Sequence, residues 1–248
     1  MTRLEFAIET AWKAARATLP HFTGGVTVDF KEDDTPVTVA DREAEAIIRQ
    51  EIAARFPGEA VLGEEEGLSG TGDDRWVIDP IDGTKSFISG VPLYATLLSY
   101  EQAGEPIIGV AVFPALGWCV SAAKGEGAFR EGRRCQVRTE TRRDRAVIAC
   151  GGHKSLVKAG RMEGFLRLVD EALVTRTWGD AYGHALVACG QLDAMVDPVV
   201  SRWDISAMSL IVREAGGEFT DFAGRSALAQ EAISATPAMA DWVRDAFR

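Results

Sequence analysis

The sequence predicts an α/β protein with a first half of the α+β type and a second half in which strands and helices alternate. Three observations support this class. Two helical patterns open the chain, at residues 3–19 and 39–55, and short apolar runs separated by tight turns follow them. From about residue 145 the apolar runs alternate with helical patterns, which predicts a mostly parallel sheet. We therefore expect two closely packed halves, residues 1–143 and 144–248.

Both opening helices carry a start signal and an apolar face. Thr2 and Glu5 form a capping box for the first helix, and Thr38 and Asp41 form one for the second. Apolar residues then recur at helical spacing. They are Leu4, Ile8, Ala11, Trp12, Ala15 and Leu19 in the first helix, and Ala44, Ile47, Ile48 and Ile52 in the second.

The remaining elements follow from short apolar runs and the turns between them. In the first half we expect strands near 60–62, 76–79, 93–100, 107–113 and 117–122, antiparallel from Leu93 onward. In the second half we expect strands near 146–150, 173–178, 193–196, 217–221 and 232–235. The helices between and after them are expected near 161–172, 180–190, 204–215 and 237–247.

Composition narrows the classes of function. The net charge of −10 argues against non-specific binding to nucleic acid. No apolar run reaches the length of a membrane span and the N-terminus has no signal-peptide pattern, so we expect a cytoplasmic protein without a membrane partner. The four cysteines, which show no C-x-x-C spacing, are expected to be reduced core thiols.

The string WVIDPIDGTKSF, residues 76–87, carries the strongest chemical signal. A short apolar strand ends at Asp79, Pro80 interrupts the ladder of hydrogen bonds, and Asp82 follows three residues later. Burial of ionised carboxylates without a partner is costly, and Mg²⁺ is a suitable partner because it takes oxygen ligands. Gly83 and Thr84 open a predicted turn into a helix, where backbone N–H groups favour an anion. The string thus predicts a phosphate site, although Asp82 as a simple helix cap is the local alternative.

Three further acids fit the same site, and each also has a local explanation. Glu64 follows the Leu62-Gly63 strand end and is the best placed of three consecutive glutamates, which otherwise form a solvated surface. Asp41 and Asp204 each stand at the start of a predicted helix, where capping alone would explain them. Only the combination of these acids favours a metal site.

The chain offers no convincing covalent route to phosphate-ester hydrolysis. The three histidines are scattered, and neither a G-x-S-x-G elbow, a P-loop nor a dinucleotide-binding glycine motif occurs. A metal-activated water, with two metals clamping the attacking and leaving oxygens, is the mechanism that fits.

The strings GEE, DPIDGT and WD together resemble the inositol monophosphatase family over essentially the whole chain. The resemblance implies a layered α-β-α-β-α sandwich of the inositol monophosphatase and fructose bisphosphatase type, with the active site between the halves. It also implies a homodimer, two or three Mg²⁺ ions, which Mn²⁺ can replace, and inhibition by Li⁺.

The resemblance assigns roles residue by residue. Glu64, Asp79, the Ile81 carbonyl, Asp82 and Asp204 are implied metal ligands. Thr84, with Asp41 behind it, is implied to orient the attacking water, and Glu64 joins them as a catalytic residue. Gly83 and Thr84 are implied to bind the phosphate, whereas Lys31 belongs to a stretch that is slightly compressed relative to the family.

The leaving group depends on a different set of residues. The strings TWGDAYG and DPVVSRWD, together with Lys85, resemble the histidinol-phosphatase branch of the family, which acts in histidine biosynthesis. Asp180 would complement the ammonium group of L-histidinol phosphate, Asp197 would add to it or contact a ring nitrogen, and Arg176 lies in the same recognition segment. For Asp180, a helix N-cap is the alternative.

Two other functions remain open at this point. The same chemistry could serve inositol 1-phosphate or a sugar or nucleotide bisphosphate, for which Lys85, Arg176 and Arg202 are the basic residues available. A metal-bound binding module without turnover is the alternative of another class. Loss of a ligand would be its expected sign, and every implied ligand is present.

Overall fold

Two β-sheets with helices on both sides and between them make up the fold. The computed structural model describes residues 1–25, 28–30 and 36–248. Within these ranges the α-helices are α1 (Arg3–Gly24), α2 (Val39–Arg55), α3 (Thr84–Ile88), α4 (His153–Lys158), α5 (Met162–Glu171), α6 (Asp180–Ala188), α7 (Arg202–Glu214) and α8 (Pro237–Asp245).

The strands divide between the two sheets and one short ribbon. They are β1 (Val28–Phe30), β2 (Pro36–Thr38), β3 (Ala60–Gly63), β4 (Gly67–Ser69), β5 (Arg75–Asp82), β6 (Ala95–Gln102), β7 (Glu105–Phe113), β8 (Trp118–Ala123), β9 (Gly127–Arg130), β10 (Arg133–Cys135), β11 (Val147–Cys150), β12 (Val174–Arg176), β13 (Ala194–Asp197), β14 (Glu218–Thr220) and β15 (Ala232–Ala235). The larger sheet has the order β10-β9-β8-β7-β6-β5-β3-β4, and the smaller has the order β12-β11-β13-β15-β14.

Side chains that alternate along the strands fill three apolar layers. In β6, Leu97 faces the core that contains α6 and α7, whereas Leu98 faces the core formed with α1 and α2. A third core packs α5 and α8 against the far face of the smaller sheet. The order of layers is therefore helix, sheet, helix, sheet, helix, which confirms the predicted sandwich.

The smaller sheet differs from the prediction of a mostly parallel unit. β11 is parallel to β12 and β13, but β15 is antiparallel to both β13 and β14. The connection from β14 to β15 contains no crossover helix, and strands joined in this way pair antiparallel. The prediction was wrong for this edge of the sheet.

Several short elements were not predicted, among them β4, β10 and α4, because elements of three to six residues carry little periodic signal. The helix predicted to open at Gly83 and Thr84 is present as α3. None of the helices in the described ranges is long and apolar enough to cross a membrane.

Candidate active site

An irregularity near the end of β5 brings Asp79 and Asp82 to the same side of the sheet. The regular pairing of β5 with β6 reaches Asp79 opposite Leu97, and the next pair is Asp82 opposite Ala95. Three steps on β5 thus match two on β6, which is a β-bulge. In a regular strand, residues three apart point to opposite faces. Because of the bulge, the side chains of Asp79 and Asp82 lie on the same side. The Thr96 hydroxyl stabilises the bulge by donating to the Pro80 carbonyl at 2.8 Å.

Asp204 and Glu64 reach the same place from other elements. Asp204 lies in the first turn of α7, where its Oδ2 accepts the Ser201 backbone N–H at 2.7 Å. One carboxylate oxygen each from Asp79, Asp82 and Asp204 lies within 4.8 Å of the others. Glu64 follows β3, its N–H donates to the Ile78 carbonyl at 3.2 Å, and it lines the same cavity.

The cavity at these acids has a volume of about 160 Å³ and brings together most of the predicted site residues. Its lining consists of Glu64, Asp79, Ile81, Asp82, Gly83, Thr84, Lys85, Asp180 and Asp204. The structure therefore assembles every implied metal ligand around one space.

The carboxylates of this cluster are buried and repel one another, so the cluster favours binding of a positive charge. Burial first, and then Glu64, Asp82 and Asp204, raise the pKa of Asp79 well above its ordinary value. Burial raises the pKa of Asp204 to about 6. Asp79 Oδ1 is buried and has no hydrogen-bond partner among the residues that the structure describes. Carboxylates in this state are suited to a hard divalent cation, which would supply the missing partner and offset the repulsion.

Asp41 lies in the first turn of α2 and is almost completely buried. Its Oδ2 accepts the Thr38 N–H at 2.8 Å and the Thr38 hydroxyl at 2.6 Å. Capping therefore uses one oxygen, while Oδ1 is buried and forms no hydrogen bond within the described part of the chain. Burial raises the pKa of Asp41, and the charge of Glu64 adds to the effect, so the two carboxyl groups interact electrostatically. Both the capping and the functional interpretation of Asp41 thus remain compatible with the structure.

Gly83 and Thr84 form the turn from β5 into α3. Gly83 has a φ of 81°, and a Cβ there would lie 3.1 Å from the Leu93 carbonyl and 3.2 Å from Asp180 Oδ2. Both the left-handed backbone and the close approach require glycine. The Thr84 hydroxyl donates to the Ile81 carbonyl at 3.1 Å, which fixes its orientation beside an implied metal ligand.

A second cavity, of about 280 Å³, adjoins the first and contains Asp197. Asp82, Lys85, Asp180 and Asp204 line both cavities. Burial, followed by the charges of Asp180 and Asp204, raises the pKa of Asp197 well above its ordinary value. The second cavity is thus another negatively charged space, directly beside the carboxylate cluster.

Asp180 is not the N-cap of α6. Gly179 occupies that position, and Asp180 is the first helical residue with a φ of 57°. Aspartate tolerates this left-handed conformation better than most residues, but it is still unfavourable. The Ala181 N–H donates to Asp82 Oδ2 at 2.7 Å, so the start of α6 is attached to the carboxylate cluster. The capping alternative for Asp180 is therefore wrong.

The structure does not bring every predicted residue into these cavities. Arg176 is exposed on β12, its guanidinium donates to the Thr175 carbonyl at 2.8 Å, and it lines neither cavity. Lys85 lines both, and its charge lowers the pKa of Asp180 against the larger effect of burial. Lys31 lies outside the described residues.

Glu45 is a functional candidate that was not among the predicted site residues. It is fully buried, and its carboxylate accepts the backbone N–H groups of Glu65 at 2.8 Å and Glu66 at 3.1 Å. Arg49 Nε donates to the same carboxylate at 2.8 Å. Glu45 therefore holds the turn that directly follows Glu64. Glu45 lies four residues after Asp41 and within the apolar face of α2, and this position could have identified it as a functional candidate from the sequence.

Gly151 and Ser155 also line the second cavity without having been predicted. A Cβ on Gly151 would lie 2.9 Å from Asp197 Oδ1, so the absence of a side chain there allows the Asp197 carboxylate its position.

The chain belongs to the inositol monophosphatase family, whose model matches residues 2–246. It is 43% identical over 241 residues to the histidinol-phosphatase of Chlorobaculum parvum, with 95% of this chain and 93% of the relative covered. It is 39% identical over 232 residues to the histidinol-phosphatase of Streptomyces coelicolor, with 90% and 87% covered.

The fold matches the IMPase of Thermotoga maritima with a TM-score of 0.92 at 34% identity, over 100% of this chain and 97% of that one. The family and these relatives are phosphatases, so the chain is a phosphoric monoester hydrolase.

Proposed function

We propose that this protein is a Mg²⁺-dependent histidinol-phosphatase that releases L-histidinol and phosphate from L-histidinol phosphate. The observation that supports the proposal is the pair of carboxylates, half-buried Asp180 and buried Asp197, in the cavity that adjoins the carboxylate cluster. One cavity offers a place for metals and phosphate, and the other offers negative charge to a cationic leaving group.

Glu64, Asp79, Asp82 and Asp204, with the Ile81 carbonyl, would hold Mg²⁺, and Mn²⁺ would suit the same oxygen ligands. The bound ions would neutralise the phosphate charge and acidify a water molecule. Thr84, Asp41 and Glu64 would orient a water molecule for in-line attack. The P–O bond to the leaving group breaks as water attacks, and the alcohol and inorganic phosphate leave.

The phosphate would lie against the turn at Gly83 and Thr84, whose backbone N–H groups are suited to its oxygens. Lys85 lines both cavities and can add a positive charge on the phosphate side. An ester bound there directs its organic group into the second cavity.

A substrate ammonium group would relieve the repulsion in that second cavity. Asp180 raises the pKa of Asp197, which means that the two carboxylates resist simultaneous ionisation. An amine-bearing ester supplies a compensating charge, whereas a neutral polyol does not. This difference favours histidinol phosphate over inositol 1-phosphate, the competing substrate implied by the likeness to the Thermotoga maritima IMPase.

The test compares Asp180→Asn with the wild type on L-histidinol phosphate and on p-nitrophenyl phosphate, which lacks an amine. We expect kcat/KM to fall at least about 10-fold more on histidinol phosphate, because a charged hydrogen bond contributes about 1.5–3 kcal/mol. Asp170→Asn, which removes an exposed acid on α5, is the matched control and should change neither rate. Equal losses on both esters would refute the assignment of Asp180 to the ammonium group.

We further propose that the protein acts as a homodimer in the cytoplasm, within histidine biosynthesis, and that Li⁺ inhibits it. Light scattering on the purified chain tests the dimer, since a mass near 26.7 kDa would identify a monomer instead.

A further inference from the structure

Two cysteines from different parts of the fold lie side by side at the surface. Cys135 ends β10 of the larger sheet, and Cys189 follows α6 as its C-cap residue. Both are half-buried and line the same surface cavity of about 580 Å³, and each thiol shifts the pKa of the other. Among the described residues, this cavity shares no lining residue with the two cavities of the active site.

The backbone around the two cysteines holds them in this position. A Cβ on Gly190 would lie 2.8 Å from the Gln136 carbonyl, so the two segments touch directly after the cysteines. Arg138 reinforces the contact by donating to the Gly190 carbonyl at 2.9 Å and to the Gln191 carbonyl at 2.9 Å. The thiol pair is therefore built into the packing and does not depend on mobile side chains.

The surroundings of the pair favour a reactive thiolate at Cys135. The neighbouring Cys189 thiol lowers the pKa of Cys135, and the positive charge of Arg130 acts in the same direction. The Cys135 thiol, together with burial, raises the pKa of Cys189, so that thiol keeps its proton. Cys119 and Cys150 provide the contrast, because burial raises the pKa of each to about 12.

We propose that Cys135 and Cys189 form a redox-active dithiol that a hydroperoxide converts into an intramolecular disulfide. The Cys135 thiolate attacks the peroxide O–O bond and becomes a sulfenic acid, and with hydrogen peroxide the leaving hydroxide takes up a proton as water. The Cys189 sulfur then attacks the sulfenic sulfur, a second water leaves, and the S–S bond forms. Two thiols and one hydrogen peroxide thus yield one disulfide and two waters.

The disulfide would attach β10 to the end of α6 and close a loop of roughly 50 residues, which restricts the unfolded chain. The opposite end of α6 is the turn where Ala181 donates to Asp82, so the bond fixes the helix whose start contributes to the active site. We expect the oxidised protein to have a Tm higher by about 5–10 °C.

The experiment treats the full-length wild type with a small excess of hydrogen peroxide, removes the oxidant with catalase, and maps the peptides without reduction. The expected result is a Cys135–Cys189 peptide within one chain, loss of two titratable thiols, and a Tm increase that dithiothreitol reverses. Cys135→Ser and Cys189→Ser should each abolish the Tm increase. Cys119→Ala is the matched control and should retain it.

Three results would overturn the proposal. They are oxidation of Cys135 to a sulfinic acid without a disulfide, a disulfide that links two chains, and a wild-type peptide map in which Cys135 and Cys189 stay unlinked. The wild-type peptide map is decisive even if a serine variant fails to fold.

Discussion

Replacing Glu45 with glutamine should weaken metal binding without removing any metal ligand. The buried carboxylate accepts two backbone N–H groups of the turn after Glu64 and is paired with Arg49, whose Nη2 lies 2.8 Å away. A glutamine offers one acceptor oxygen and turns an NH₂ group toward one of these donors. At least one charge-assisted hydrogen bond is lost, at a cost of about 1.5–3 kcal/mol.

The lost hydrogen bond stabilises the turn that orients Glu64, so its loss should weaken the binding of Mg²⁺. Converted at 1.4 kcal/mol per factor of ten, this cost corresponds to a rise of roughly 10- to 100-fold in the Mg²⁺ concentration needed for half-maximal activity. The KM for substrate at saturating Mg²⁺ should change by less than about twofold. Hydrogen exchange without metal supplies a readout independent of turnover, and the amides of Glu65 and Glu66 should lose protection in the variant.

Glu51→Gln is the matched control, because Glu51 is an acid on the same helix that pairs with Lys13 near the surface. It should leave the Mg²⁺ dependence and the two amides unchanged. A Glu45→Gln enzyme with wild-type Mg²⁺ dependence, or with loss of protection spread evenly over the whole chain, would refute the role assigned to Glu45.

Three further outcomes are expected from the active site. Asp82→Asn should lower kcat by at least about 100-fold, because a neutral amide is a poor Mg²⁺ ligand. Circular dichroism should show a retained fold, because the amide oxygen still accepts the Ala181 N–H. Wild-type turnover would contradict the metal assignment. Thr84→Ala should lower kcat more than it raises KM, and the opposite pattern would assign Thr84 to substrate binding. The pKa of Asp204 is raised to about 6, so between about pH 4 and pH 6 the folded state holds a proton that the unfolded state has released. The chelator-treated protein should therefore lose stability as the pH rises through this range. A Tm in EDTA that rises across the same range would contradict this expectation.

Much of the site follows from the sequence because its acids stand next to strong local signals. Asp79 and Asp82 flank a proline at the end of an apolar strand, and Asp204 opens an apolar helix. Their convergence is not readable from spacing, because residues three apart in a strand would diverge. The β-bulge brings the two side chains to the same side, and the bulge depends on the pairing of β5 with β6, which is a long-range contact.

The parts that were missed depend on tertiary contacts. Glu45 looks like one more charged residue of an amphipathic helix until β3 and the following turn pack over it. The antiparallel edge of the smaller sheet likewise depends on the path of the chain between β14 and β15, which turns at Asp221–Gly224 and contains no crossover helix. Arg176, chosen from its position in a motif, lies on an edge strand away from the cavities.

The most direct test of the whole account is phosphate release from L-histidinol phosphate and from inositol 1-phosphate, measured side by side with Mg²⁺ and with EDTA. We expect release that requires Mg²⁺ and a strong preference for histidinol phosphate. Metal-independent release would contradict the carboxylate cluster as a metal site. Mg²⁺-dependent release with a preference for inositol 1-phosphate would contradict the assignment of Asp180 and Asp197 to a cationic leaving group.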